Sequence, residues 1–268
     1  MPPPGLPRWA PSAPRRERAL LTSLAWGLRS RLTANGRARV RWAVDPVLSS
    51  VGSISGTAGA SRLVALTFDD GPDPVVTPKL LDLLHERGVR ATFFVLTDPA
   101  LRHPELVRRI VDEGHELALH ADRHERLTRV SFLELRRRLV AARKLLQEVS
   151  HARVRFFRPP FGAQSLPSYL AARASGLDVV VWGPHAEDWV QAAPEVVAAR
   201  GLTRLQSGDV LLLHDGVVTP RGERTPTFDR VRAFELILEG LAVRGLTPTT
   251  VGALLAAEPA QRTAWFRP

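Results

Sequence analysis

From residue 63 onward, short apolar runs alternate with segments whose apolar positions recur every three to four residues. The runs fall near 63–68, 91–96, 115–119, 154–157, 178–182, 209–213 and 245–249. Each is too short for a buried helix and several are rich in Val and Phe, so they read as strands. Helical periodicity covers 77–87, 104–113, 132–148, 167–175, 194–206, 228–244 and 251–257. Strict strand–helix alternation predicts a parallel sheet with helices outside it. Seven such units, rather than eight, predict an α/β fold: a distorted, incomplete (β/α)7 barrel. No unit of 20–50 residues repeats in sequence, and no apolar run is long enough for a membrane span.

The strands share a second pattern: charged or imidazole residues stand at their C-terminal ends. Leu63–Phe68 gives way to Asp69-Asp70-Gly71-Pro72, two adjacent carboxylates before a turn. Their mutual repulsion is relieved if a cation lies beside them. Leu117-Ala118-Leu119 leads into His120, with His124 four residues on; a helical turn there would put both imidazoles on one face. Two imidazoles and a carboxylate suit a divalent metal and leave a position for water or substrate. Phe156-Phe157 precedes Arg158-Pro159-Pro160-Phe161-Gly162, Val179–Trp182 precedes a loop with Asp188-Trp189, and Val210–Leu213 precedes His214-Asp215-Gly216. Each cluster alone has an ordinary reading: a solvated Asp-Gly-Pro turn, surface histidines, a surface Arg158, a capping Asp188, a satisfied His214. All five in one order match a barrel whose chemistry sits on the loops after its strands.

These motifs resemble, in order, those of the polysaccharide deacetylase family (carbohydrate esterase family 4, the NodB homology domain). Thr67–Pro72, His120-Ala121-Asp122-Arg123-His124, Arg158–Gly162, Asp188-Trp189 and Leu212-Leu213-His214 carry the resemblance, which spans about three quarters of the chain. It implies a hydrolase that removes acetyl from an N-acetylated sugar or polysaccharide and releases acetate. Asp70, His120 and His124 would bind a divalent metal, with Zn²⁺ the expected ion, which would polarise the acetamide carbonyl and activate a water. Asp69 would be the general base, held and kept ionised by Arg158, and His214 the general acid, charged through Asp188. The Phe161 N–H would stabilise the oxyanion, while Trp189 and Leu212 would shape the acetyl pocket. Two departures stand out. Ala121 replaces the usual Ser or Thr, removing a hydroxyl that supports the ligands. Phe161 replaces a common Tyr, which spares the backbone N–H.

Two other functions compete. A glycosidase using Asp69 with another carboxylate fits poorly, because adjacent strand residues face opposite sides. A catalytically inactive carbohydrate-binding protein on this scaffold would need neither Asp69 nor His214.

Residues 1–60 differ from the rest. They hold nine Arg and no Lys against Glu17 and Asp45, and so carry +7 of the net +10. They divide the chain into a Pro/Arg-rich extension, 1–60, with one amphipathic helix, and a catalytic domain, 61–268. That helix, 17–32, has an uncharged centre with Trp26 flanked by arginines. Residues 15–41 would therefore contact anionic membrane peripherally, although a helix packed on the barrel fits the pattern equally. Arginines between the apolar core and Ala58-Gly59-Ala60 argue against a signal peptide. The expected location is cytoplasmic or membrane-peripheral rather than secreted. No recognition motif accompanies the basic residues, so no nucleic acid is expected. With no cysteine, any zinc takes N and O ligands.

Overall fold

A computed structural model describes residues 52–218 and 225–265, all within one compact unit, Leu48–Pro268. The helix expected over 17–32 and the basic stretch 15–41 lie outside the described residues.

Nine strands are described: β1 Ser53–Thr57, β2 Leu63–Asp69, β3 Thr92–Val95, β4 Glu116–Leu119, β5 Phe156–Phe157, β6 Asp178–Val179, β7 Val210–His214, β8 Thr247–Thr249 and β9 Ala260–Thr263. Between them run α1 Val76–Glu86, α2 Thr97–Arg102, α3 Pro104–Asp112, α4 Phe132–Ser150, α5 Leu166–Ala174, α6 Pro194–Leu202, α7 Arg230–Val243 and α8 Val251–Ala257. Strands β2 to β8 form the seven-stranded parallel sheet expected from the sequence, in the order β6-β5-β4-β3-β2-β7, with β8 also paired to β2. The fold is an incomplete (β/α)7 barrel in which β6 and β7 share no ladder. The chain beyond β6 reaches β7 through the parallel bridge His185–Leu212, with the Gly183 N–H donating to Val210 O and the Leu212 N–H to Pro184 O. The open part of this side therefore lies before Gly183 and Val210.

The open side explains the two strands that the apolar pattern did not predict. β1 pairs antiparallel with β9 and also bridges both rims, Ile54 to Val180 and Gly56 to Asp209. β1 thus lies on the N-terminal side of the boundary read from composition at residue 60, yet it is joined to the barrel. It lines the other edge of β6: the Val180 N–H donates to Phe157 O on one side and the Val181 N–H to Ile54 O at 2.8 Å on the other.

Alternation along β2 divides the interior into two cores. Val64, Leu66 and Phe68 face the helices. There the Phe68 ring stacks on Phe93 at 5.2 Å and meets Phe234 edge-on at 5.1 Å. Fully burying one such ring stabilises the fold by about 1.5–3 kcal/mol. Ala65 faces the barrel interior with Ile54, Phe94, Ala118, Phe156, Val180 and Val210, and α8 closes that core with Val251 and Leu254. The helices begin at side-chain caps where the sequence offers them: Ser131, Ser165, Asp229 and Thr250 each accept a bond from the third residue on.

Candidate active site

Parallel strands end at one rim, and the five sequence motifs meet there. Asp69 closes β2 and Asp69 and His214 are register partners on neighbouring strands, as are Thr67 and Leu212. These four side chains follow the inward set begun at Ala65. A cavity of about 420 Å³ is lined by Asp69, Asp70, His120, His124, Phe161, Trp189, Leu212 and His214. Arg158 and Asp188 are fully buried behind it.

Asp70 corrects the alternation argument used against paired carboxylates. Its backbone turns left-handed, φ +74°, so the strand pleat ends and both aspartates reach one site. His120 Nε2 lies 3.3 Å from Asp70 Oδ1 and 3.8 Å from Asp69 Oδ2. His124 Nε2 lies 3.4 Å from the same Asp70 oxygen. The helical turn expected between the two histidines is absent, since residues 120–126 form an irregular bend. Ala121, buried and at φ +98°, turns the chain instead, and the two imidazole centroids end 5.5 Å apart. A left-handed residue other than Gly costs roughly 1–2 kcal/mol.

The donors fit a divalent metal. One atom from each of Asp70, His120 and His124 lies within 4.8 Å of the others. Asp70 Oδ1 is buried and accepts no hydrogen bond, an arrangement costly for a carboxylate unless a cation faces it. The His120 Nδ1–H donates to Arg158 O at 2.8 Å, which leaves Nε2 as the lone-pair nitrogen and fixes the ring without the hydroxyl that Ala121 lacks. Burial lowers the His124 pKa to about 4, outweighing the carboxylates beside it, so the ring is neutral and able to ligate. Burial alone would raise the Asp70 pKa, but contact with His120 and the charge of His214 hold it below the usual carboxylate range.

Arg158 follows β5 and is tied to the neighbouring strand β4 by its N–H, which donates to Leu119 O at 3.0 Å. Its Nη1 donates to Asp69 Oδ1 at 2.7 Å and to Thr67 Oγ1 at 2.8 Å, and its guanidinium sits 4.0 Å from the Phe94 ring centroid. Asp69 is therefore fixed by a buried cation on one side and faces the cavity on the other.

Asp188 holds His214 from both ends. Its Oδ2 accepts the His214 backbone N–H at 2.8 Å, and its Oδ1 accepts the ring Nδ1–H at 2.8 Å. Arg230 Nη1 donates to Oδ2 at 3.1 Å, so Asp188 lies between two cationic groups. Burial is the largest influence on His214 and disfavours its charge. Asp188, with smaller contributions from Asp70 and Asp69, overcomes it and raises the pKa to about 9.

The Pro160–Gly162 turn brings the remaining polar group. Phe161 at φ +59° and Gly162 at φ +60° are both left-handed. The turn's bonds run from the Gly162 N–H to Pro159 O and from the Ala163 N–H to Pro160 O, and neither uses the Phe161 N–H. The Phe161 side chain is half exposed, its ring 4.1 Å from that of His124. Trp189 meets His214 edge-on at 5.4 Å.

Four residues at the site were not singled out from sequence. Trp182 and Arg126 line the cavity, Thr67 relays between Arg158 and Leu211 O, and Arg230 braces Asp188. Only Thr67 and Trp182 stood inside stretches already marked by their strand-end position.

The chain resembles known proteins along most of its described length. The family model for polysaccharide deacetylase matches residues 57–180. A chitooligosaccharide deacetylase of Bradyrhizobium is 35% identical over 206 residues, 74% of this chain and 91% of that protein. A peptidoglycan-N-acetylglucosamine deacetylase of Bacillus cereus is 33% identical over 196 residues, 72% and 88% of the two chains. Among solved structures, a peptidoglycan N-acetylglucosamine deacetylase in complex with 4-naphthalen-1-yl-N-oxidanyl-benzamide superposes with a TM-score of 0.67 at 29% identity, covering 75% of this chain and 91% of its own. With relatives above 30% identity matched over nearly their whole length, the chain belongs to the polysaccharide deacetylase family.

Proposed function

We propose that this protein removes the acetyl group from N-acetylglucosamine units of a glycan of the chitooligosaccharide or peptidoglycan class. The substrate classes are those for which two relatives are named. A divalent cation held by Asp70, His120 and His124, with zinc favoured by two imidazoles and one carboxylate, would supply Lewis acidity toward the acetamide carbonyl and toward the attacking water.

The chain's own groups supply the rest. Asp69 takes the proton from water, its carboxylate held in place by Arg158 at 2.7 Å. The Phe161 N–H donates to the acetamide oxygen as negative charge develops there. His214, charged at neutral pH and oriented by Asp188, gives its proton to the amine nitrogen as the C–N bond breaks. The leaving amine would otherwise depart as a strongly basic anion, so this proton transfer is required. Trp189 and Leu212 bound the space left for the acetyl methyl.

The observation that carries this reading is the convergence of Asp70, His120 and His124 on one point, with Asp69 and His214 lining the same cavity. The base and the acid also favour hydrolysis over an inactive binding protein, which needs neither. Replacing His120 with Ala tests it. Bound metal and acetate release from N-acetylglucosamine oligomers and peptidoglycan should both fall to background, and a variant that keeps both would refute the assignment.

A further inference from the structure

The Pro160–Gly162 turn adopts two consecutive left-handed residues, one of them Phe161. Such a backbone persists only where the surroundings over-determine it, and its own two hydrogen bonds span only 159–163. The outside support comes from a residue about a hundred positions away, beyond every motif. The Trp265 Nε1–H donates to Gly162 O at 2.9 Å. Its ring packs on Trp182 at 5.2 Å, and Trp182 in turn lies so close to Gly162 that a Cβ there would meet its Cη2 at 2.5 Å. Trp265 O accepts from Gln164 Nε2 at 2.6 Å, and Gln164 Oε1 accepts from Ser53 Oγ at 3.1 Å. One residue therefore grips the turn on its ring side and on its backbone side.

Trp265 is itself placed by the strand pair that fills the open side of the barrel. It follows β9 directly, its N–H donating to Thr263 O at 2.9 Å. β9 is paired with β1, and Arg262 Nη1 adds a bond to Gly52 O at 3.0 Å.

We propose that Trp265 is a positioning residue for the oxyanion donor: it fixes the turn that presents the Phe161 N–H to the substrate. The proposal rests on the deacetylase reading for its catalytic part, but its structural part stands apart from it. Trp265→Phe removes the donor and keeps an aromatic ring, and Trp265→Ala removes both.

In metal-free protein, amide exchange across 161–164 should quicken by about tenfold in Trp265→Phe, with the rest of the barrel unchanged. In metal-loaded protein, kcat should fall by about tenfold with KM and metal affinity unchanged, less than the roughly 10²–10³ lost when an oxyanion donor is deleted outright. Unchanged exchange across 161–164 would overturn the proposal. So would intact kcat in a variant that loses only thermal stability, since Trp265 would then be ordinary packing. If the wild type releases no acetate from any acetylated glycan, the deacetylase reading fails by itself, and the exchange measurement still decides whether Trp265 holds the turn. Should Trp265→Ala fail to fold, Trp265→Phe carries the test.

Discussion

Asp188→Asn isolates what the buried carboxylate does for His214. The wild-type oxygens accept two bonds from His214, one from its backbone N–H and one from Nδ1, each 2.8 Å long. Asn offers one acceptor and one NH₂, so one of those donors must face another donor. The negative charge that favours imidazolium also disappears. Asp188 outweighs Asp70 and Asp69 in raising the His214 pKa to about 9 from 6.5, so most of the effect remains when a cation neutralises the ligand carboxylate.

Without Asp188 the burial of His214 is no longer offset, so its pKa falls to 6.5 or below; at 6.5 roughly 3% of it is protonated at pH 8, against about 90% in the wild type. A general acid depleted to at least that extent lowers kcat/KM by about 30-fold or more at pH 8, and by less at pH 6. The assay is acetate release from pH 6 to 10 at saturating metal, where the basic limb should move from near pH 9 to pH 6.5 or below. Stability carries a second signature. A folded pKa above the unfolded one gives stability that is fully present below pH 6.5 and is lost as pH rises through 9. It amounts to at most about 3 kcal/mol. The wild-type advantage over Asp188→Asn should therefore shrink between pH 6 and 10, leaving a pH-independent part from Arg230. A basic limb that stays in place in the variant would refute the role given to Asp188.

Other perturbations bear on the parts around this pair. Arg158→Met strands the buried Asp69 charge and should cost roughly 3–5 kcal/mol in denaturant unfolding, with acetate release lost even in the folded fraction. Asp215 is buried beside the site and raised to about 7, first by burial, with Asp70 and Asp69 adding to it; the Thr77 hydroxyl donates to its Oδ2, and Oδ1 has no partner. Because its folded pKa lies above the unfolded value, the wild type loses stability as pH rises from 4 through 7. Asp215→Asn should therefore gain on the wild type by up to about 3 kcal/mol between pH 5 and 8, read as the difference in unfolding midpoints. Deleting residues 1–45 should abolish sedimentation with anionic liposomes if the arginines of 15–41 contact membrane, and unchanged sedimentation would remove that reading.

What the sequence disclosed follows from where information is local. The strands that carry the motifs are apolar runs that give way to polar residues, and a parallel sheet gathers such ends at one rim. Asp69, His120, Arg158 and His214 could therefore be placed together before any coordinates were considered. β1 and β9 escaped because Ser53–Thr57 and Ala260–Thr263 are short and polar and find each other across some two hundred residues. The six residues of α2 are too few for a period to emerge.

Subtler errors arose where backbone handedness overrides side-chain pattern. The pleat of β2 separates Asp69 from Asp70 on paper, and the i,i+4 spacing of His120 and His124 suggests a helix. In the folded chain a left-handed Asp70 cancels the first rule and a left-handed Ala121 replaces the second. Asp70, His120 and His124 come together although the local geometry differs from the one expected, because three donors at one rim can converge through more than one backbone path. Such paths need external support, and for the Pro160–Gly162 turn that support is Trp265, a residue with no motif around it. The strands that lacked an apolar signature are thus the ones that deliver the brace for the most strained part of the site. The gap that remains between β6 and β7 before Gly183 is bridged by β1, and β9, paired to β1, leads into the side chain that reaches the active-site turn.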